Sequence, residues 1–127
     1  MQMTIPLSLL LLAASLGAWL GVRAMQQGGV NGGGVFGRLL GPLHGVLGAM
    51  GLTALVIALA RHPVPARMGL GGFGAGAEIL LGLALLLGLF VVIAAWRQRR
   101  PAGLLLGTHA TLAIAGITLV LAIASLT

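Results

Sequence analysis

The chain has no cysteine, and this excludes disulfides, thiolate metal sites and cysteine catalysis. It has one acidic residue, Glu78, so a single chain cannot supply the pair of carboxylates that many hydrolases use. Lysine is also absent, and only 6% of the residues are charged, against about 25% in a typical soluble domain. These absences exclude the common classes of soluble hydrolase and nuclease.

Long apolar segments make up most of the sequence, and hydrophobic residues account for 59% of it. A helix that spans a bilayer needs about 20 largely apolar residues. Four segments meet this requirement, at about 5–22, 38–60, 75–96 and 102–126. The sequence therefore predicts an all-α membrane protein, with residues 1–127 forming a single four-helix transmembrane domain. No positive charge precedes the first segment, so we expect a retained helix rather than a cleaved signal peptide.

The arginines lie at the ends of the apolar segments and predict the orientation of the chain. Loops 1–2 and 3–4 together contain five of them: Arg23, Arg38, Arg97, Arg99 and Arg100. Loop 2–3 contains two, Arg61 and Arg67. Cytoplasmic loops carry the excess of positive charge. Loops 1–2 and 3–4 are therefore predicted to be cytoplasmic, with both termini outward, in a bacterial-type inner membrane. This pattern accounts for the net charge of +6 without a nucleic-acid partner.

Two histidines, His44 and His109, lie near the starts of the second and fourth segments. The residues that follow them match at equal spacing: Leu47 with Leu112, Gly51 with Gly116 and Thr53 with Thr118. The two tryptophans, Trp19 and Trp96, lie near the ends of the first and third segments, where interfacial tryptophan is common. We therefore predict two tandem helical hairpins related by a pseudo-two-fold axis, the first with an inserted glycine-rich loop at 28–34. Such an axis would place the two histidines at one depth on facing helices.

Two neutral imidazoles on opposed helices form a suitable axial pair for haem iron. The glycines predicted to line this cofactor site are Gly48, Gly51 and Gly116, and the arginines predicted to pair with haem propionates are Arg38, Arg97, Arg99 and Arg100. Two alternative roles remain open: each histidine could form an interhelical hydrogen bond, and the glycines could serve close helix packing. Zinc or copper is less favoured, because two histidines leave a tetrahedral site incomplete.

With its four apolar helices and intramembrane His44 and His109, the chain resembles the small four-helix membrane cytochromes b. The resemblance implies haem b held by histidines on apolar helices, and electron exchange with a quinone or with a larger membrane complex. Families with two haems use four intramembrane histidines, so the two present here imply one haem per chain. An electron carrier or a subunit is expected rather than a stand-alone enzyme, and a homo-oligomer is compatible with the sequence.

The alternative function is a cofactor-free accessory or assembly subunit of a larger, respiratory-type membrane complex, because glycine-rich apolar helices are suited to docking against other helices. A channel or small transporter is less favoured, because few polar residues are available to line a path. His62, which precedes Pro63, is expected to be solvated or interfacial. Glu78 is expected to stabilise the N-terminal end of the third helix rather than to relay protons.

Overall fold

The computed structural model describes residues 3–27, 34–65, 69–97 and 103–126, with the side chains of all of these except 34–38 and 95. The described residues form four helices: α1 (Thr4–Gln26), α2 (Gly34–Arg61), α3 (Phe73–Trp96) and α4 (Gly103–Leu126). Each is long and apolar enough to cross a membrane. The all-α, four-helix membrane fold predicted from the sequence is therefore confirmed.

The helices of the first hairpin extend beyond the apolar segments that predict them. α1 continues to Gln26 rather than stopping near Val22, and α2 begins at Gly34 rather than near Arg38. A charged side chain ends an apolar segment, but it does not break the backbone hydrogen bonds of a helix. The Arg23 guanidinium stacks over the Trp19 ring, 4.8 Å from its centroid. This cation–π contact joins two successive turns near the end of α1.

Pro42 lies inside α2, eight residues after the first residue of the helix, Gly34. Its missing N–H removes the hydrogen bond to the carbonyl of residue 38. Membrane helices tolerate such an interior proline, because neighbouring groups and small local adjustments satisfy the freed carbonyl. The candidate membrane span within α2, Leu39–Arg61, agrees with the segment predicted at about 38–60, and the helix itself begins earlier, at Gly34.

The four helices form an antiparallel bundle in which α1 pairs most extensively with α2 and α3 with α4. Leu10 lies against Gly51 and Leu81 against Gly116, while Gly74 lies against Leu59 of α2. Helices α1 and α3 therefore run in one direction, and α2 and α4 run in the other. Loops 1–2 and 3–4 consequently lie at one end of the bundle, which we call the loop 1–2 end.

Each helix contributes a seam of residues spaced alternately three and four apart, as in a coiled coil. The seam residues are Met3, Pro6, Leu10, Ala13 and Gly17 in α1; His44, Gly48, Gly51, Leu55 and Ala58 in α2; Gly74, Ala77, Leu81, Ala84 and Gly88 in α3; and His109, Ala113, Gly116, Val120 and Ile123 in α4. In α2 and α4 the last three of these are buried, whereas the histidine and the next residue are half-buried. The hydrophobic core therefore fills the half of the bundle away from the loop 1–2 end, and the histidines lie at its edge.

Candidate site between two histidines

His44 of α2 and His109 of α4 face each other inside the bundle. Their ring centroids are 5.9 Å apart, and the ring planes are nearly perpendicular, at 81°. Both side chains are half-buried. The sequence prediction that these two residues lie at one depth on facing helices is confirmed by this contact.

Each histidine is held by a backbone carbonyl of the other helix in its own hairpin. His44 Nδ1 lies 2.8 Å from the Ala13 carbonyl oxygen of α1, and His109 Nδ1 lies 2.7 Å from the Ala84 carbonyl oxygen of α3. A carbonyl oxygen can only accept a hydrogen bond, so Nδ1 is the donor in both rings. A neutral imidazole with its proton on Nδ1 has its lone pair on Nε2. Both Nε2 atoms are therefore suited to bind a metal.

The threonine and serine hydroxyls contact their own helices instead. Thr53, Thr108, Thr111 and Thr118 each donate to the carbonyl four residues earlier, and Ser15 does the same in α1. These hydroxyls therefore satisfy their donors locally, as is common in apolar helices. The two histidines, by contrast, join neighbouring helices.

Two glycines that were not among the predicted site residues lie directly against the imidazoles. A Cβ atom added at Gly17 would be 2.6 Å from His44 Cε1, and one added at Gly88 would be 3.1 Å from His109 Cε1. Both follow a seam alanine by four residues, as Ala13-x-x-x-Gly17 and Ala84-x-x-x-Gly88. This small-residue spacing was the signal in the sequence that could have identified them.

The glycines predicted to line the site on α2 and α4 lie against other groups. A Cβ at Gly51 would be 2.9 Å from Leu10 Cδ2, and one at Gly116 would be 2.7 Å from Leu81 Cγ. A Cβ at Gly48 would come within 4.0 Å of Leu85 of α3. Gly51 and Gly116 therefore accommodate leucines of the neighbouring helices.

The arginines predicted to pair with propionates are only partly within the described structure. Arg97 is exposed and follows α3 directly, at the loop 1–2 end. It lies about 13 Å along the helix axis beyond the level of Gly88, at 1.5 Å per residue. Arg99 and Arg100 lie outside the described residues, and so does the side chain of Arg38. The glycine-rich segment 28–33 and Arg67 also lie outside them.

The two hairpins repeat the same contacts at matching positions. An offset of 71 residues relates α1 to α3, and it matches Leu10 with Leu81, Ala13 with Ala84 and Gly17 with Gly88. An offset of 65 residues relates α2 to α4, and it matches His44 with His109 and Gly51 with Gly116. The histidine-to-carbonyl bond spans 31 residues in the first hairpin and 25 in the second, so the first connection is six residues longer. Trp19 and Trp96 are 77 residues apart, so they are not equivalent positions in this register. The pseudo-two-fold axis itself stays a prediction.

Two further ionisable residues among the described ones, His62 and Glu78, lie away from this pair. His62 is exposed in the bend that follows α2, at the opposite end of the bundle. Glu78 is half-buried on α3, about 9 Å of helix rise from Ala84 towards that same opposite end. It lies just beyond the first turn of α3, where the field of the helix N-terminus is weaker than within the first turn.

The histidine pair supplies two potential ligands for a metal ion. Among the described residues no group of three or more histidine, cysteine or acidic side chains could hold a metal. A site for a bare zinc ion, which takes four ligands, is therefore incomplete in this part of the chain. Haem iron needs one ligand on each side of its macrocycle.

Comparison of the chain with family models, with curated proteins and with solved structures finds no match. The function is therefore inferred from the geometry of the histidine pair and from the composition of the helices.

Proposed function

We propose that this protein is an integral membrane cytochrome of the b type, in which His44 and His109 hold one haem b that serves electron transfer. The observation that carries the proposal is the paired geometry of the two imidazoles. Both rings face each other across the bundle, and both are anchored through Nδ1. Ligand histidines in metalloproteins commonly donate their other N–H to a carbonyl in this way.

The packing around the pair also supports the proposal. Gly17, Gly48, Gly88 and Ala113 of the seams are half-buried near the histidines, although Ala13 and Ala84, whose carbonyls lie against the rings, are buried. The main apolar core lies in the other half of the bundle. A flat macrocycle between α2 and α4 would therefore occupy the less closely packed half. Haem b supplies one-electron chemistry when bound, and the apolar helices exclude water from it. After the haem has passed on its electron, a quinol or a partner complex in the same membrane would reduce it again.

The orientation of the chain forms part of the same proposal. Arg23 and Arg97 both lie at the loop 1–2 end, and in the sequence Arg38, Arg99 and Arg100 are close to the same two loops. Positively charged loops remain on the cytoplasmic side. The haem would therefore lie nearer the cytoplasmic surface, where these arginines could pair with its propionates.

An absorbance spectrum of the purified protein tests the proposal. We expect a Soret band and a sharp α band on reduction, both lost in His44→Ala and in His109→Ala. The matched control is His62→Ala, which removes the third histidine of the chain but lies in an exposed bend, and its spectrum should be that of the native protein. A colourless native protein from haem-replete cells would contradict the proposal, as would a spectrum that survives both intramembrane substitutions.

A groove on the outer surface of α4 favours a second candidate function, an accessory subunit of a larger membrane complex. The groove is lined by Gly103, Leu104, Gly107, Thr108, Thr111 and Leu112. Gly103 and Gly107 are spaced four residues apart, as in the close contacts of membrane helices. A helix of a neighbouring subunit could therefore approach α4 closely along this surface.

Purification in a mild detergent distinguishes the two functions. For an accessory subunit we expect stable association with a larger complex, weakened by Gly107→Leu and unaffected by His44→Ala. Leu89→Ala, on the outer surface of α3, is the control for a general effect of outer-surface substitutions. A chain that purifies alone, with haem bound, would contradict the accessory role.

A further inference from the structure

Each histidine donates to a backbone carbonyl inside a neighbouring helix, and such a carbonyl is normally covered by side chains. In an α-helix the carbonyl of residue i already accepts the N–H of residue i+4. The side chain of residue i+4 tilts back towards the helix N-terminus and lies over the preceding turn. A side chain at that position therefore covers the flank of the carbonyl, and access from a neighbouring helix requires that this side chain be small.

Glycine occupies this i+4 position on both sides of the bundle. Gly17 follows Ala13 by four residues, and Gly88 follows Ala84 by four. The same two alanines accept the histidine hydrogen bonds, and the same two glycines leave the space that the imidazoles occupy. We call the Ala13 carbonyl with Gly17 the first cradle, and the Ala84 carbonyl with Gly88 the second cradle.

We propose that the two cradles are positioning elements, in which Gly17 and Gly88 fix the protonated nitrogen and the orientation of the facing imidazole. This inference deepens the proposed haem site, although it concerns the histidines whether or not haem is bound. Each glycine uncovers a carbonyl that selects the Nδ1–H form, and each leaves room for the ring to lie against the helix. Nε2 is then the nitrogen that is free to bind a metal.

The cradles also account for the angle between the two rings. Each ring is fixed by its own hairpin, His44 against α1 and His109 against α3. The helices α1 and α3 hold the rings independently, and the resulting planes are 81° apart. A direct stacking preference between the imidazoles is therefore not needed to explain their orientation.

The two cradles differ in how closely they fit. The hypothetical Cβ at Gly17 lies 2.6 Å from His44 Cε1 and 3.1 Å from Nδ1. At Gly88 the corresponding distances to His109 are 3.1 Å and 3.4 Å. A methyl group at position 17 must therefore displace the ring or the helix, whereas one at position 88 needs a shift of a few tenths of an ångström. We expect Gly17→Ala to disturb its histidine more than Gly88→Ala does.

Nitrogen-15 NMR of the histidine side chains tests this inference directly. The full-length chain, labelled with ¹⁵N-histidine, is placed in lipid nanodiscs and reduced with dithionite, so that any bound haem is diamagnetic. The native protein should show two histidines with a hydrogen-bonded proton on Nδ1. His44→Ala and His109→Ala assign the two signals.

In Gly17→Ala we expect loss or a large shift of the His44 Nδ1–H signal, with the His109 signal retained. Gly88→Ala should change the His109 signal to a smaller degree. The matched controls are Gly21→Ala in α1 and Gly82→Ala in α3, because a Cβ at either position meets nothing within 4 Å. Both controls should keep both signals.

Two results would overturn the inference. One is a native protein in which either His44 or His109 carries its proton on Nε2, a measurement that does not depend on whether any variant folds. The other is Gly17→Ala with an unchanged His44 signal. Neither result depends on whether haem is bound. A colourless native protein with both Nδ1–H signals intact would contradict the proposed haem site but would still support the positioning role of Gly17 and Gly88.

Discussion

At the residue scale, equally apolar side chains of one helix differ in how far they are buried by the neighbouring helices. Leu55 of α2 is fully buried in the core, whereas Leu43 of the same helix is about half exposed on its outer surface. Both lie in a membrane span, so their transfer from water contributes little to the difference between them. Packing contacts with neighbouring side chains are what distinguish the two positions.

We expect Leu55→Ala to lower the free energy of unfolding by about 2 kcal/mol, because it leaves a cavity that the neighbouring side chains fill only in part. Leu43→Ala should change it by less than about 0.5 kcal/mol, since lipid replaces the lost contacts. Unfolding of the purified protein in mixed micelles with increasing SDS measures both values. Equal losses for the two leucines would show that this core is not closely packed around position 55.

The sequence predicted the two histidines as a facing pair but did not predict the groups that hold them. His44 and His109 are conspicuous as ionisable residues in apolar helices. Gly17 and Gly88 are two among 22 glycines, and hydropathy does not distinguish a glycine beside an imidazole from one beside lipid. Only the pairing of α1 with α2 and of α3 with α4 shows which carbonyls and glycines meet the rings.

At the element scale, glycine–leucine contacts set the distance between the helices of each hairpin. Leu10 of α1 occupies the space beside Gly51 of α2, and Leu81 of α3 does the same beside Gly116 of α4. These contacts occur about two turns from the histidines, towards the closely packed half of the bundle. They keep the helices close enough for the histidine-to-carbonyl bonds to form.

Gly51→Ala should destabilise the protein by about 1–3 kcal/mol, because the added methyl would lie 2.9 Å from Leu10 Cδ2 and 3.2 Å from its backbone nitrogen. Gly45→Ala is the matched control, since a Cβ there meets nothing within 4 Å. Replacing Leu10 with alanine in the Gly51→Ala background should recover part of the loss. The same micelle unfolding assay applies, and equal stabilities of the Gly51 and Gly45 variants would contradict the close α1–α2 contact.

The sequence predicted the number and order of the helices because each is a long apolar segment. It placed their ends less well in the first hairpin, where α1 and α2 continue past the charged residues Arg23 and Arg38. The seam of each helix was not evident, because seam and lipid-facing positions are both apolar. Neither polarity nor side-chain size separates the two kinds of position, because leucine occurs at both, as at the buried Leu55 and the half-exposed Leu43.

At the scale of the whole molecule, the antiparallel bundle places loops 1–2 and 3–4 at the same end. The chain has no cysteine, so single cysteines can report on each side of the membrane. We expect cysteines introduced at Gln27 and at Gly103 to be protected from a membrane-impermeant maleimide in intact cells. A cysteine at His62 should react, because it lies at the end of the bundle that the proposed orientation places outward.

All three positions are exposed in the structure, so differences in labelling would reflect the side of the membrane. Labelling after the cells are opened is the control for reactivity of each cysteine. If one of the variants Gln27→Cys and Gly103→Cys were labelled in intact cells and the other were protected, the antiparallel arrangement of the four helices would be contradicted. Labelling of both in intact cells, with His62→Cys protected, would reverse the proposed orientation and leave the fold unchanged.

The proposed function requires that one chain holds one haem between His44 and His109. Titration of the purified haem-free protein in lipid nanodiscs, followed by absorbance, tests it most directly. We predict a six-coordinate, low-spin spectrum that saturates at one haem per chain, and no such species when both histidines are replaced by alanine. A native protein that acquires no low-spin haem spectrum, or a double variant that binds haem as the native protein does, would contradict the account.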